Sequence, residues 1–265
     1  MSAIAPCHRI GSVSYLNAKP LIAGLDEDPR VQLLLDVPSR LLDGLRERRL
    51  DVALLPVIDH QRMAGLRLIP AGGICCDGPT FTVRIFSSGP VENIRTLACD
   101  PDSHSSVALA RIILARQHGV TPRLIDHVPA CPEQADAVLL IGDKVIRHRP
   151  PEGTVQLDLG AEWKQMTGLP FVFAAWMARG DVLLDDLPAR LVHARRRGMA
   201  GIDAIIQRFA GDHGWPADLA RTYLTRYLQY EITDRHVQAM GLFHALAAEH
   251  GLLDHPAWEL AACDA

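Results

Sequence analysis

With 265 residues, the chain can bury a sizeable core, either as one large α/β domain or as two lobes. Its residues are 48% apolar but only 5% aromatic, which predicts a core of Leu, Val, Ala and Ile, the composition of helices packed on parallel strands. A net charge of −4 without a basic stripe interleaved with aromatics argues against nucleic acid, and no run approaches the ~18 apolar residues of a membrane helix.

The first ten residues hold no charged segment followed by a long apolar stretch, so no secretory signal is read and a cytoplasmic protein is expected. Ile10 to Val13 reads as a first strand, and Pro20 opens a helix that continues through Leu21, Ile22 and Leu25. Ser14, Tyr15 and Asn17 fall at this strand-to-helix junction, where small ligands bind in open α/β sheets because side-chain donors and free helix N–H groups converge there. The alternative use of Ser14 or Asn17 is to cap the helix. A strand near Val31 to Val37, a helix from Ser39 to Arg48 with Leu41, Leu42 and Leu45 on one face, and a strand from Asp51 to Leu55 imply a parallel sheet. Gly72, Gly73, Asp77, Gly78 and Pro79 predict a turn-rich connection to a long strand, Thr80 to Phe86.

The pattern then restarts. Asn93 to Asp100 reads as a strand, and Asp-Pro-Asp-Ser-His-Ser-Ser announces a helix from Ser105 to His118. Strands follow near Arg123 to Asp126, Ala137 to Ile141 and Val155 to Leu159, and the apolar segment Pro170 to Ala178 returns the chain to the first lobe. From Asp181 onward everything reads as helix, including Ala217 to Tyr230 and Asp234 to His250, ended by Gly251. The expected architecture is therefore a bilobal α/β fold of the periplasmic-binding-protein-like (type II) kind with a helical C-terminal segment. Residues 1–88 and 172–265 form a discontinuous first lobe, and residues 89–171 form an inserted second one.

Ser103, Ser105 and Ser106 surround a second strand-to-helix turn, where unpaired N–H groups and the positive end of the helix dipole suit a carboxylate. One of these serines serves as a cap, and three hydroxyls exceed what one cap needs. His104, in their midst, is a candidate for substrate contact, against a plain surface role. The six cysteines make no CxxC pair, so free thiols are expected, with Cys75 and Cys76 as small packing residues rather than a reactive dithiol. His244 and His250 are six apart and make no metal pair, and Arg195, Arg196 and Arg197 read as a solvated helix face. A Gly-rich phosphate loop, an HExxH motif and a nucleophile elbow are all absent.

The segment Val13 to Asn17, Val-Ser-Tyr-Leu-Asn, followed by Ala18, Lys19, Pro20 and Leu21, resembles the opening signature of the chorismate dehydratases of the futalosine route to menaquinone. The resemblance extends over nearly the whole chain. It includes Asp77-Gly78-Pro79, Ser103 to Val107, Leu140 to Asp143, Gly168 to Phe173 and Tyr227 to Tyr230. The sister dihydroxynaphthoate synthases typically open with a Ser-Pro-Cys-Pro-Asn-Asp type of sequence that this chain lacks. Where the family commonly has Ser-Arg-Thr-Ser, this chain has Ser103, His104, Ser105 and Ser106. Where serines and Pro-Ser are common, it has Cys75, Cys76 and Pro56-Val57, so hydroxyl donors give way to weaker thiols and an apolar side chain.

The resemblance implies a lyase that needs neither cofactor nor metal and removes water from chorismate, its small-molecule partner, to give 3-[(1-carboxyvinyl)oxy]benzoate. Asn17 would be catalytic, and Ser14, Tyr15, Cys76, Ser103, His104, Ser105 and Ser106 would bind substrate. No carboxylate or histidine in these motifs offers itself as a base, His104 excepted, so the substrate's own enolpyruvyl carboxylate is expected to take the proton, with Asn17 orienting the substrate or assisting the leaving hydroxyl. The alternatives are a 1,4-dihydroxy-6-naphthoate synthase and a non-catalytic cytoplasmic solute-binding or sensor protein, since one fold serves several functions. Oligomeric state is not legible in the sequence.

Overall fold

Val52–Pro56 is buried at every position, as a strand covered by helices on both faces must be. In the computed structural model, which describes residues 7–99, 104–127 and 135–253, this run is the middle strand of a five-stranded sheet. Strands are numbered in chain order. The first sheet contains β1 (His8–Ser12), β2 (Val31–Leu35), β3 (Val52–Pro56), β4 (Leu66–Cys76) and β10 (Phe171–Arg179), in the order β2-β1-β3-β10-β4. The second contains β5 (Val83–Ser87), β6 (Thr96–Cys99), β7 (Arg123–Asp126), β8 (Ala137–Ile141) and β9 (Val155–Asp158), in the order β7-β6-β8-β5-β9.

The two sheets share one plan. In the first, β1 runs parallel to β2 and β3, and β10 inserts antiparallel between β3 and β4. In the second, β6 runs parallel to β7 and β8, and β5 inserts antiparallel between β8 and β9. Each sheet thus takes one antiparallel strand adjoining a point where the chain crosses between lobes. Residues through 88, grouped with the first lobe by sequence, include β5, whose register Val83↔Ile141 places it in the second sheet.

Around these sheets lie α1 (Pro38–Arg46), α2 (His104–His118), α3 (Asp143–Arg147), α4 (Leu159–Thr167), α5 (Leu187–Ala200), α6 (Ile202–Phe209), α7 (Ala217–Thr222) and α8 (Asp234–Glu249). Pro38 opens α1, where its fixed φ and missing N–H cost nothing. Asp158 caps α4 by accepting from the N–H groups of Gly160 and Ala161. At the return crossing, Trp163 of α4, Phe171 of β10 and Phe243 of α8 pack edge to face, with ring centroids 5.1–6.2 Å apart. The indole N–H of Trp163 donates to the Pro170 carbonyl at 2.9 Å, which satisfies its one polar atom inside this buried cluster.

Three segments depart from the sequence expectation. The helix expected from Pro20 to Leu25 is a short 3₁₀ turn, Leu16–Leu21, that contains Pro20 instead of starting with it. The glycine pair expected in a turn lies inside β4, because the neighbouring strand leaves no room for side chains there. A Cβ on Gly73 would stand 2.5 Å from the Ala174 carbonyl oxygen. The helix expected from Ala217 to Tyr230 ends at Thr222 and gives way to a π-helical turn, Tyr223–Tyr227. The chain is then extended, and Gln229 exchanges two backbone hydrogen bonds with Cys75, so pairing with β4 overrides helical propensity.

His244 of α8 is buried against the first lobe, with Nε2 2.9 Å from the carbonyl of Val57, and its ring faces that of His60 at 5.9 Å. Burial lowers its pKa to about 4, with His60 adding to the shift and the Val57 carbonyl opposing it. An unfolded histidine titrates near 6.5, so between these values the unfolded chain takes up a proton that the folded chain refuses. Stability is therefore present above pH ~6.5 and falls as pH drops toward 4, by about 3 kcal/mol from this residue. Burial moves His60 and His236 in the same direction. Chemical unfolding at pH 7 and pH 4.5 should show the loss, and His244→Gln, which keeps a donor for Val57 but does not titrate, should show a smaller one. An equal loss in the variant would assign the effect elsewhere.

Candidate functional site

The carboxyl ends of β1 and β3 face the end of β8 across a cleft between the two lobes. Its first wall is the turn after β1. Tyr15 stands at the start of Leu16–Leu21 without a side-chain cap, so neither Ser14 nor Asn17 serves as the helix cap that sequence offered as their alternative role. Tyr15 and Asn17 both line the cleft. The Asn17 amide donates from Nδ2 to the Tyr223 hydroxyl at 3.2 Å, while its Oδ1 is buried with no protein partner.

The second wall is the first turn of α2, which contributes His104, Ser105 and Ser106. Both serines are buried. Ser105 Oγ accepts from the Ile58 N–H at 3.2 Å and keeps its own hydrogen for another acceptor. The His104 Nδ1 lies 3.0 and 3.1 Å from the two oxygens of Asp59, which is fully buried on the 3₁₀ turn Val57–Gln61 beyond β3. Asp59 also accepts from Arg62 at 3.2 Å. A carboxylate partner places the imidazole hydrogen on Nδ1, which leaves Nε2 as the nitrogen available to a ligand.

The floor is the outward crossing. Thr80 and Thr82 line the cleft, and the N–H groups of Thr80 and Phe81 donate to the Asp158 carboxylate at 2.9 and 2.7 Å. Phe81 between them has φ of 67°, a conformation costly for a side chain with a Cβ. Asp158 from one side and the Tyr227 ring, stacked at 5.4 Å, from the other hold it there. Tyr223 closes the back of the site, with its hydroxyl 2.7 Å from Thr82 Oγ1. Burial pushes this phenol well above its ordinary pKa, against the opposing pull of its bonds to Thr82 and Asn17, so it stays protonated.

Tyr15, Asn17, His104, Ser105 and Ser106 are thus brought together, although the two groups lie far apart in sequence. Ser103 lies outside the described residues. Ser14 is exposed and Cys76 is fully buried, and neither is among the lining residues. Cys76 packs against Gly160, where an added Cβ would stand 2.7 Å from its sulfur, and burial raises its thiol to about 12. Cys75 is raised for the same reason, so both sulfurs are packing groups rather than cleft ligands. Asp59, Thr80, Thr82 and Tyr223 were not anticipated from sequence.

The described lining residues include neither Lys nor Arg, and His104 is the one imidazole among them. An anion bound here is held by hydroxyls, N–H dipoles and one imidazole. No group of three or more His, Cys, Asp or Glu able to hold a metal occurs among the described residues, and no described helix is long and apolar enough to cross a membrane.

A family model described as menaquinone biosynthesis matches residues 8–249. The chain belongs to the menaquinone-biosynthesis family. Two curated relatives are both named chorismate dehydratase. That of Thermus thermophilus is 28% identical over 243 residues, covering 82% of this chain and 87% of the relative. That of Campylobacter jejuni is 29% identical over 171 residues, and the match spans 62% of this chain and 64% of the relative. Among solved structures, a protein of Archaeoglobus fulgidus superposes with a TM-score of 0.73 at 15% identity, covering 93% of this chain and 98% of that one. The periplasmic aliphatic sulphonate binding protein of Escherichia coli follows at a TM-score of 0.66 and 14% identity, covering 97% of this chain and 94% of that one. At such identities these two establish the fold, which is bilobal and periplasmic-binding-protein-like in this family member.

Proposed function

We propose that this member of the menaquinone-biosynthesis family is a chorismate dehydratase, a hydro-lyase that converts chorismate into 3-[(1-carboxyvinyl)oxy]benzoate and water. The observation that carries the reading is the pairing of Asn17, with an unpartnered Oδ1, and the hydroxyl-rich first turn of α2 across one cleft. Chorismate presents two carboxylates and one hydroxyl to such a site. Its ring hydrogen beside the enolpyruvyl ether is acidified through the diene by the ring carboxylate, and loss of the neighbouring hydroxyl makes the ring aromatic. Charge moves toward the ring carboxylate as the C–H bond breaks, and donors from Ser105, Ser106 and the α2 terminus are suited to stabilise it.

The proton passes to the substrate's enolpyruvyl carboxylate and from there to the departing hydroxyl oxygen, which leaves as water while the carboxylate is regenerated. No carboxylate among the described residues lines the cleft to compete for that role, since Asp59 lies behind His104. Asn17 orients the substrate or assists the leaving hydroxyl. A second reading, in which His104 Nε2 is the base, draws on the His104–Asp59 pair, the arrangement by which a carboxylate fixes an imidazole for proton transfer.

Incubation of the protein with chorismate, followed by mass and ultraviolet absorbance, should show loss of water and a benzoate product. Binding without conversion would instead favour a sensor, and turnover of the cyclic futalosine-derived substrate would favour the sister naphthoate synthase. His104→Ala should lower kcat/KM by about tenfold, mainly by weakening anion binding. Loss of all turnover with unchanged chorismate affinity would make His104 the base.

A further inference from the structure

We infer that Tyr223 is a positioning residue whose hydroxyl, bonded to both lobes at once, fixes the orientation of the Asn17 amide; the inference rests on the function proposed above. The phenol accepts from Asn17 Nδ2 at 3.2 Å, so its single hydrogen is free to go to Thr82 Oγ1 at 2.7 Å. This order turns the Asn17 carbonyl oxygen away from Tyr223, into the buried position where it has no protein partner. It also releases the Thr82 hydrogen toward the cleft that Thr82 lines.

The partners of the phenol come from different lobes. Asn17 follows β1 of the first sheet, whereas the Thr82 carbonyl accepts from the Gly142 N–H at 2.8 Å, at the end of β8 in the second. Tyr223 itself belongs to the first lobe, since the chain just after it pairs with β4. The link is therefore complete only with the lobes drawn together. Its ring is fixed independently of the hydroxyl. Trp215 stacks on it with centroids 4.6 Å apart and planes at 15°, and the Trp215 indole donates at 2.6 Å to Asp143, next to Gly142. The π-helical turn that begins at Tyr223 adds a residue to the turn there, a distortion recurrent at functional positions.

Removal of the hydroxyl leaves the ring stacked and releases the amide. Tyr223→Phe should therefore lower kcat on chorismate about 10–100-fold while KM stays within about threefold. Thr82→Val should act in the same sense, Thr82→Ser should retain most activity, and the Tyr223→Phe/Thr82→Val double variant should fall little below the worse single one. Thermal unfolding of each variant separates these effects from misfolding. Unchanged kcat in Tyr223→Phe, or effects that multiply in the double variant, would overturn the inference. A second measurement does not depend on turnover: the side-chain amide proton–nitrogen correlation of Asn17 should shift and exchange faster in Tyr223→Phe. An unchanged correlation overturns the positioning role even if chorismate is the substrate. A wild type inert toward chorismate overturns the functional proposal, and the correlation then decides the positioning role alone.

Discussion

Asn17→Asp should lower the turnover of chorismate by about 100-fold or more while chorismate still binds, the loss expected when one preorganised donor is removed from a reacting centre. The substitution preserves shape. The Tyr223 hydroxyl, which now accepts from Asn17 Nδ2, can turn its hydrogen round to donate to a carboxylate in the same place, so the wall of the cleft stands. What disappears is the amide N–H, and with it the neutral polar group that the proposed mechanism uses to orient the substrate or assist the departing hydroxyl. A titration of chorismate binding together with single-turnover kinetics separates the two outcomes. Unchanged turnover would remove Asn17 from the chemistry, and lost binding with unchanged chemistry would make it a holding residue only.

Gly198→Ala should have the largest effect on stability. Gly198 sits on α5 where that helix crosses the turn carrying Asn17, and a Cβ there would fall on the Pro20 carbonyl oxygen and stand 2.6 Å from Pro20 Cα. These are backbone atoms, so no rotamer change relieves the clash, and helix and turn must separate. Overpacking of this kind costs about 3 kcal/mol, a Tm lower by roughly 6–12 °C for a chain of this size. Gly241→Ala supplies the control, because nothing lies within 4 Å of its Cβ position on α8 and the change favours helix. Equal Tm values for the two variants would show that α5 and the turn can separate without cost. Because the displaced turn carries Asn17, kcat should fall in Gly198→Ala as well.

The alternation of apolar strands and amphipathic helices made most of the architecture legible, since Val52–Pro56 and Ala137–Ile141 are strands that burial alone demands. The two cleft walls were legible as well, because Asn17 and Ser105 each lie in a local strand-to-helix pattern. The back and floor were not. Tyr223 lies within a helical pattern that a π-turn interrupts, and widening a helix by one residue leaves no mark in apolar spacing. Asp59 belongs to no local motif, and only the fold brings His104 to it across 45 residues of chain. Gly72 and Gly73 misled in the opposite sense, because a glycine that admits a neighbouring backbone looks in sequence like one that makes a turn.

The shared plan of the two sheets has a consequence for the order in which they are made. Every strand of the second sheet lies between Val83 and Asp158, so that sheet has its full complement once synthesis passes α4. The first sheet begins earlier and finishes later. Until β10 emerges, β3 and β4 have no strand between them, and both present unpaired edges to whatever is near. The lobe that starts the chain is thus completed last, around a partner already formed, and its nascent edges are the stretch of this protein most exposed to mispairing.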